Sequence, residues 1–400
     1  MLPSSVDPKC VDFDAFQVSA DGRWLVYRAD QRVDQQFELS VAPLAGNDQG
    51  VVLTPLSAGR NVARFQLTPD SKWAVYLADQ DFDERYELYS VPLDGSGPSV
   101  RIAAMQNAGG DASDFALTAD SRQVVYRADQ LFNDQIELFA ARIDGLIPTR
   151  RLNPPMLAGR NVASFEVGSD LARVLFQADR DVDEVVQLFS LPLSGSSALT
   201  VELSPPLTRA SMVIQSRLTR DGRWALYSDR LRQVFSVPSD GSAPARLLHG
   251  NFPTQRGLLP YTLTGSPDST RAVYLADLVV SQRYELFSAP LDGHAPPVRL
   301  NPGLRNQRHV SAFGFSPDGN WVSYLADQES DARTELYLVP LDGSAAPRKM
   351  NAPLVERGSV LEFQFGTTQN EGVYRARQEA DLAVELFATT LPSPRQKTQR

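Results

Sequence analysis

The stretch Phe65-Gln66-Leu67-Thr68-Pro69-Asp70-Ser71-Lys72-Trp73-Ala74-Val75-Tyr76-Leu77-Ala78-Asp79 decides the fold, together with Glu87-Leu88-Tyr89-Ser90-Val91-Pro92-Leu93-Asp94-Gly95 beyond a polar loop. It is one copy of a repeat. Its central aromatic recurs as Tyr27, Tyr76, Tyr126, Phe176, Tyr227, Tyr274, Tyr324 and Tyr374, at intervals of 49, 50, 50, 51, 47, 50 and 50 residues. A period of this length marks a solenoid, a propeller or an array. Within the unit, Trp73 to Ala78 and Leu88 to Leu93 are short runs rich in Val, Tyr and Leu, bounded by Pro-Asp and Asp-Gly turns. They read as strands B and C. Strand A lies around residue 65, and a weaker strand D follows the Leu-Asp-Gly turn, as at Val100-Arg101-Ile102. Apolar side chains on both faces of B and C require burial on both faces. Sheets packed face to face around a ring provide it. No segment holds a 3.6-residue apolar period, which excludes a helical solenoid.

The expectation is an all-β chain: an eight-bladed β-propeller of four-stranded antiparallel blades, forming one domain over 1–400. The blades fall near 13–62, 63–112, 113–162, 163–212, 213–258, 259–310, 311–360 and 361–400. The fifth, with a shortened B–C loop between Leu218 and Gly241, is expected to be the irregular one. The last blade is completed either by its own Pro394-Arg395-Gln396-Lys397 or by residues near Leu2 to Val6.

Composition narrows the classes of function. The chain has 400 residues, 42% apolar and 22% charged, with 19 Phe and 12 Tyr, too many aromatics for disorder. No apolar run reaches the roughly 18 residues of a membrane helix. A net charge of -9 argues against nucleic acid as a partner. Cys10 is the only cysteine, so neither an internal disulfide nor a cysteine zinc site is expected. Met1-Leu2-Pro3-Ser4-Ser5 lacks the charged and apolar regions of a signal peptide.

Phe313-Gly314-Phe315-Ser316-Pro317-Asp318-Gly319, Val322-Ser323-Tyr324, Glu335-Leu336-Tyr337 and Leu341-Asp342-Gly343 resemble the TolB-type, WD40-like propeller repeat. The resemblance runs along nearly the whole chain. It implies a bacterial propeller of the periplasm or the secreted space, acting in protein binding. TolB itself carries an N-terminal α/β domain and fewer blades. Similar eight-bladed propellers precede the hydrolase domain of dipeptidyl-peptidase-like enzymes, for which a last blade at 361–400 leaves no room.

Several columns of the repeat carry chemistry. Glu38, Glu87, Glu137, Gln187, Gln233, Glu285, Glu335 and Glu385 share one position of strand C. Because two are Gln, hydrogen bonding rather than charge is what the position needs. Asp30, Asp79, Asp129, Asp179, Asp229, Asp277 and Asp327 end strand B, where an Asp accepts turn N–H groups. Two B–C loops extend this column to Asp79-Gln80-Asp81-Phe82-Asp83 and Asp179-Arg180-Asp181-Val182-Asp183. Alternate carboxylates there are candidate ligands for Ca²⁺, the one cofactor considered; a solvated acidic hairpin is the alternative. The loop of Asp327, Glu329 and Asp331 is a weaker copy.

Between blades, Ala58-Gly59-Arg60-Asn61-Val62 repeats as Ala158-Gly159-Arg160-Asn161-Val162, and Arg209, Arg256, Arg305, Arg308 and Arg357 occupy nearby positions. D–A and B–C loops share one face of a propeller. Arg60, Asn61, Arg160, Asn161, Arg308 and His309 are therefore candidate ligand-binding residues for an anionic glycan or a peptide or protein segment. The alternative pairs each Arg with a neighbouring B–C Asp. The long loop from His249 to Tyr261 is placed to lean over this face. Gly-x-Ser-x-Gly does not occur, and His249, His294 and His309 cannot meet at one metal, since His294 sits in a C–D turn. The reading leans against catalysis. The enzymatic alternative is a lyase-like polysaccharide site with His309 and Arg308. A third reading is a TolB-like protein-interaction disc.

Overall fold

The computed structural model describes residues 11–45, 50–249, 262–277, 283–305, 308–366, 371–379 and 383–390. These form eight antiparallel sheets, seven of four strands and one of three, each laid down in chain order. The chain is an all-β protein with the fold of an eight-bladed β-propeller. It divides into two compact units, Met1–Val201 and Glu202–Arg400, with four blades in each. Among the described residues the only helix is a single 3-10 turn, Ser197–Leu199.

Blade 2 shows the plan: strand A Val62–Leu67, B Trp73–Ala78, C Glu87–Pro92 and D Val100–Ala103. All but the first residue of strand B are buried. One face of B and C, with Tyr76, Tyr89 and Val91, packs with Phe65 against Val26, Leu39 and Val41 of blade 1. The other, with Val75, Leu77 and Leu88, packs against Phe115, Tyr126 and Phe139 of blade 3. This is why the strands are apolar on both faces. The period-defining aromatic stacks on an aromatic of strand C within its own blade. Ring centroids lie 5.4 Å apart for Tyr76 and Tyr89, 5.2 Å for Phe176 and Phe189, and 5.3 Å for Tyr324 and Tyr337.

A buried phenol needs a partner, and the repeat supplies one four residues on. The hydroxyls of Tyr76, Tyr324 and Tyr374 donate to Oε1 of Gln80, Gln328 and Gln378 at 2.6, 3.0 and 2.7 Å. Burial also pushes the Tyr76 and Tyr324 hydroxyls above the ordinary tyrosine range, so they remain donors. Where blade 4 has Phe176 and no hydroxyl, the Gln is replaced by Arg180, whose guanidinium lies 4.3 Å over Phe189.

One expectation is corrected. Blade 5 is a regular four-stranded sheet, because its shortened loop is closed by Arg232 N–H donating to Asp229 O at 2.8 Å. The short loop leaves its mark on one atom, since the buried Tyr227 hydroxyl has no partner. Blade 8 has three strands among the described residues, Val360–Phe365, Glu371–Ala376 and Glu385–Thr390. The candidate closing segments Pro394–Lys397 and Leu2–Val6 lie outside the described residues, as do Arg256 and the loop 250–261.

Candidate functional site

The strand C glutamates form one set of internal charges. Glu87 is fully buried. Its Oε1 accepts from Arg85 Nη2 at 2.9 Å and from Met105 N at 2.8 Å, and its Oε2 accepts from Arg101 Nη1 at 3.0 Å. Arg32 serves Glu38 at 2.7 Å, Arg151 serves Glu137 at 3.2 Å, Arg299 serves Glu285 at 3.3 Å and Lys349 serves Glu335 at 2.9 Å. The two glutamines fall where that base is missing. In blade 5, with Gln233, the residue paired with Phe235 on strand D is Leu247, where blade 2 pairs Tyr89 with Arg101. In blade 4, with Gln187, strand D is Val201–Glu202. In blades 1 to 7 a carboxylate stands where a base offsets its desolvation and an amide where no strand D base does.

The strand B aspartates fasten the loops. Asp179 Oδ1 accepts from Asn161 N at 2.6 Å, and its Oδ2 accepts from Glu184 N at 3.3 Å. Asp129 does the same for Asp111 N and Asp134 N. One carboxylate thus ties the D–A loop to the B–C turn. Asn61 and Asn161 then reach back. Asn61 Oδ1 accepts from Phe37 N of blade 1 at 2.8 Å, and Asn161 Oδ1 from Ile136 N of blade 3 at 2.7 Å. These two candidate ligand residues are committed to clamping adjacent blades.

Arg60 and Arg160 stand just outside the clamps. Gly59 and Gly159, at φ 81° and 79°, close turns that deliver the guanidiniums to the B–C loop of their own blade. Arg60 Nη1 is 2.6 Å from Asp83 Oδ1, and Arg160 Nη1 is 2.7 Å from Asp183 Oδ1. The two loops therefore do share a face in these blades, and the arginines pair with its acids. Arg308 donates to Gln328 O at 3.0 Å. His309 takes the backbone place of Asn61, its N–H donating to Asp327 Oδ1 at 2.7 Å, with an exposed ring. The Asp-x-Asp-x-Asp runs do not converge. Asp79 accepts from Asn61 N, Asp81 pairs with Arg101 at 3.2 Å and Asp83 pairs with Arg60. Asp179 and Asp183 follow the same plan, while Asp181 pairs with Arg180 at 2.9 Å, which holds its carboxyl below the usual range. Among the described residues no three His, Cys, Asp or Glu groups come together as a metal site.

The side chains between those acids are what the sequence reading passed over. In each blade of the first unit the B–C loop is the same four-residue turn. The first residue's carbonyl accepts from the N–H of the fourth: Val33 from Gln36, Phe82 from Arg85, Phe132 from Gln135, Val182 from Val185. The third residue, Gln35, Glu84, Asp134 or Glu184, has φ between 53° and 61°. This left-handed residue is held by the strand B aspartate in blades 1, 3 and 4. The turn leaves its first side chain outside. Val33, Phe82, Phe132 and Val182 are 49, 47, 60 and 51% exposed, and Leu157 of a neighbouring D–A loop is 69% exposed. The signal was present as the recurring apolar letter three positions after the strand B Asp of each blade in the first unit. Blade 7 makes the same turn, with Ala332 at φ 57°, but begins it with Ser330.

A larger open cleft of about 930 Å³ lies at the opposite loop ends of blades 6 and 7. Its carboxylates serve the turns that form it. Asp268, Asp318 and Asp342 accept from Thr270, Asn320 and Ser344 N–H groups, and Asp292 accepts from His294. The same turn chemistry recurs at Asp21, Asp70, Asp120 and Asp221 in other blades, so these acids are framework.

No protein-family model and no curated protein matches the sequence, so the likeness to the TolB-type repeat rests on the residues quoted for it. Solved structures do match. Dipeptidyl peptidase 4 of Porphyromonas gingivalis aligns with a TM-score of 0.59 at 12% identity, over 90% of this chain and 56% of that one. A structure from a study of two prolyl endopeptidases aligns at 0.47 and 14%, over 86% and 51%. An oligogalacturonate lyase in complex with manganese aligns at 0.43 and 14%, over 96% and 90%. The chain spans about half the length of the two peptidase structures. At such identity the first likeness is one of fold and agrees with the propeller; the other two carry no argument.

Proposed function

We propose that this chain is a non-catalytic binding and scaffolding propeller that holds a protein partner on the B–C and D–A loop face of its first unit. One observation carries the reading: four equivalent turns in succession each present a half-exposed Val or Phe on a turn closed by the same first-to-fourth backbone hydrogen bond. Exposed large apolar groups gathered on one face favour a macromolecular contact. Rigid anchors lose little entropy on binding. The ion pairs of Arg60 with Asp83 and Arg160 with Asp183 favour a protein segment over an anionic glycan, because an anion would have to displace an existing partner at 2.6 or 2.7 Å. A lyase-like role for His309 has less support, since Arg308 is directed at a backbone carbonyl. The repeat's resemblance favours an envelope or secreted setting.

The test is comparative capture. Wild-type chain and a Val33→Ser/Phe82→Ser/Phe132→Ser/Val182→Ser variant are immobilised, and a protein retained by the first alone is purified and its affinity measured for both. A loss of affinity of at least about tenfold in the variant, roughly 1.4 kcal/mol, is expected. Equal affinity would remove the face from consideration.

A further inference from the structure

We infer that the segment docking on this face is basic as well as apolar, presenting Lys or Arg between its apolar side chains. The inference rests on the docking proposal and adds the chemistry of the partner. Each tip is set among acids: Asp34 follows Val33, Asp81 and Asp83 flank Phe82 with Glu84 beyond, Asp134 lies two residues after Phe132, and Asp181 and Asp183 flank Val182 with Glu184 beyond. The cations nearby already have work. Arg32 is held by buried Glu38, and Arg85 and Arg101 by buried Glu87. Arg60, Arg160 and Arg180 are held by Asp83, Asp183 and Asp181. Asp34, Glu84 and Asp134 are exposed with no ion partner among the described residues. An acidic segment would meet like charge beside the first three tips, whereas a lysine or arginine would meet an exposed carboxylate within two residues of each of those apolar contacts. The same argument disfavours a second copy of this chain, whose net charge is -9. The seventh blade is an internal contrast, with Ser330 and Asp331 in the same turn but no apolar tip.

The probes are two synthetic amphipathic peptides of equal length and identical apolar residues, one with lysine and one with glutamate at the intervening positions. Their binding to the full chain is followed by fluorescence anisotropy at low and high salt. Three proteins are compared: wild type, the four-serine tip variant, and Asp34→Asn/Glu84→Gln/Asp134→Asn. All seven side chains involved are exposed, so thermal melting should match wild type and serves as the folding control. The expected result is a lysine peptide bound at least about tenfold more tightly than the glutamate peptide, with a preference that shrinks in salt. The amide variant should lose most of that preference, and the tip variant should bind neither peptide. Equal binding of both peptides to wild type, lost in the tip variant, would overturn the basic partner and leave the docking face intact. Binding unaffected by the tip variant would overturn both. Failure of the lysine peptide to bind, or tip-dependent dimerisation of the chain in sedimentation, would overturn the inference.

Discussion

Replacing Glu87 tests whether the buried strand C carboxylate and its base form one unit. Glu87→Ala would leave Arg85, Arg101 and the Met105 N–H without their shared acceptor. Breaking a buried pair from one side costs about 3–5 kcal/mol. The lower end applies here, because Arg101 keeps Asp81 at 3.2 Å and Arg85 keeps the Met105 carbonyl. Glu87→Gln is the sharper probe. It preserves shape but turns an amide N–H toward a guanidinium, with an expected cost of about 2 kcal/mol for charge-assisted bonds lost. Arg101→Leu alone strands part of the carboxylate and costs a similar amount. The pair Glu87→Gln/Arg101→Leu reproduces what blade 5 already has in Gln233 and Leu247. Its cost should fall below the sum of the singles by about 1–2 kcal/mol. Urea unfolding followed by circular dichroism, with slopes compared to exclude a change in cooperativity, gives the cycle. Additivity within about 0.5 kcal/mol would refute the coupling and with it the account of why two blades carry Gln.

Two other substitutions follow from the tyrosine column and its exceptions. Tyr76→Phe should cost about 1 kcal/mol, since it leaves Gln80 short of a donor, whereas Tyr227→Phe should be neutral or stabilising because that hydroxyl has no partner. Thermal melting compares them, and equal losses would contradict the reading. In blade 6 the phenol of Tyr274 is served by His249 Nδ1 at 2.8 Å, and burial lowers the pKa of that imidazole to about 4. The folded state then binds the proton less well than the unfolded state, whose His titrates near 6.5. Stability from this site is complete above about pH 6.5 and is lost as pH falls toward 4, by about 3 kcal/mol in total. His249→Gln should flatten that part of the stability profile relative to wild type; an unchanged profile would show that the ring charges freely in the fold.

Strand boundaries, turn positions and blade count were legible because each is repeated and each has a local cause. The aromatic column fixes strand B, Pro-Asp and Asp-Gly fix the turns, and two-sided apolar strands demand face-to-face sheets. The Asp column was legible for the same reason, since a carboxylate at a strand end has turn amides in reach. The fate of Arg60 was not. Whether it faces outward or returns to Asp83 depends on Gly59 and Glu84 both adopting positive φ, which residue type permits but does not dictate. Asn61 reads as a loop amide until the neighbouring blade brings Phe37 N–H to its side chain. The apolar tips were hidden by the acids around them. Asp79-Gln80-Asp81-Phe82-Asp83 invites a count of carboxylates, but the turn buries the purpose of Asp79 and exposes Phe82.

The central claim is that partners meet this chain at the B–C turns of the first unit. Site-specific photo-crosslinking tests it most directly, with a benzophenone side chain placed in turn at positions 82, 132 and 182, at Ser330 of the seventh blade, and at Leu146 in a C–D turn. Leu146 is 79% exposed and is the control for mere apolar exposure. The account predicts that a partner crosslinks from 82, 132 and 182 and from neither control. Crosslinks arising chiefly from 146, or equally from all five positions, would contradict it.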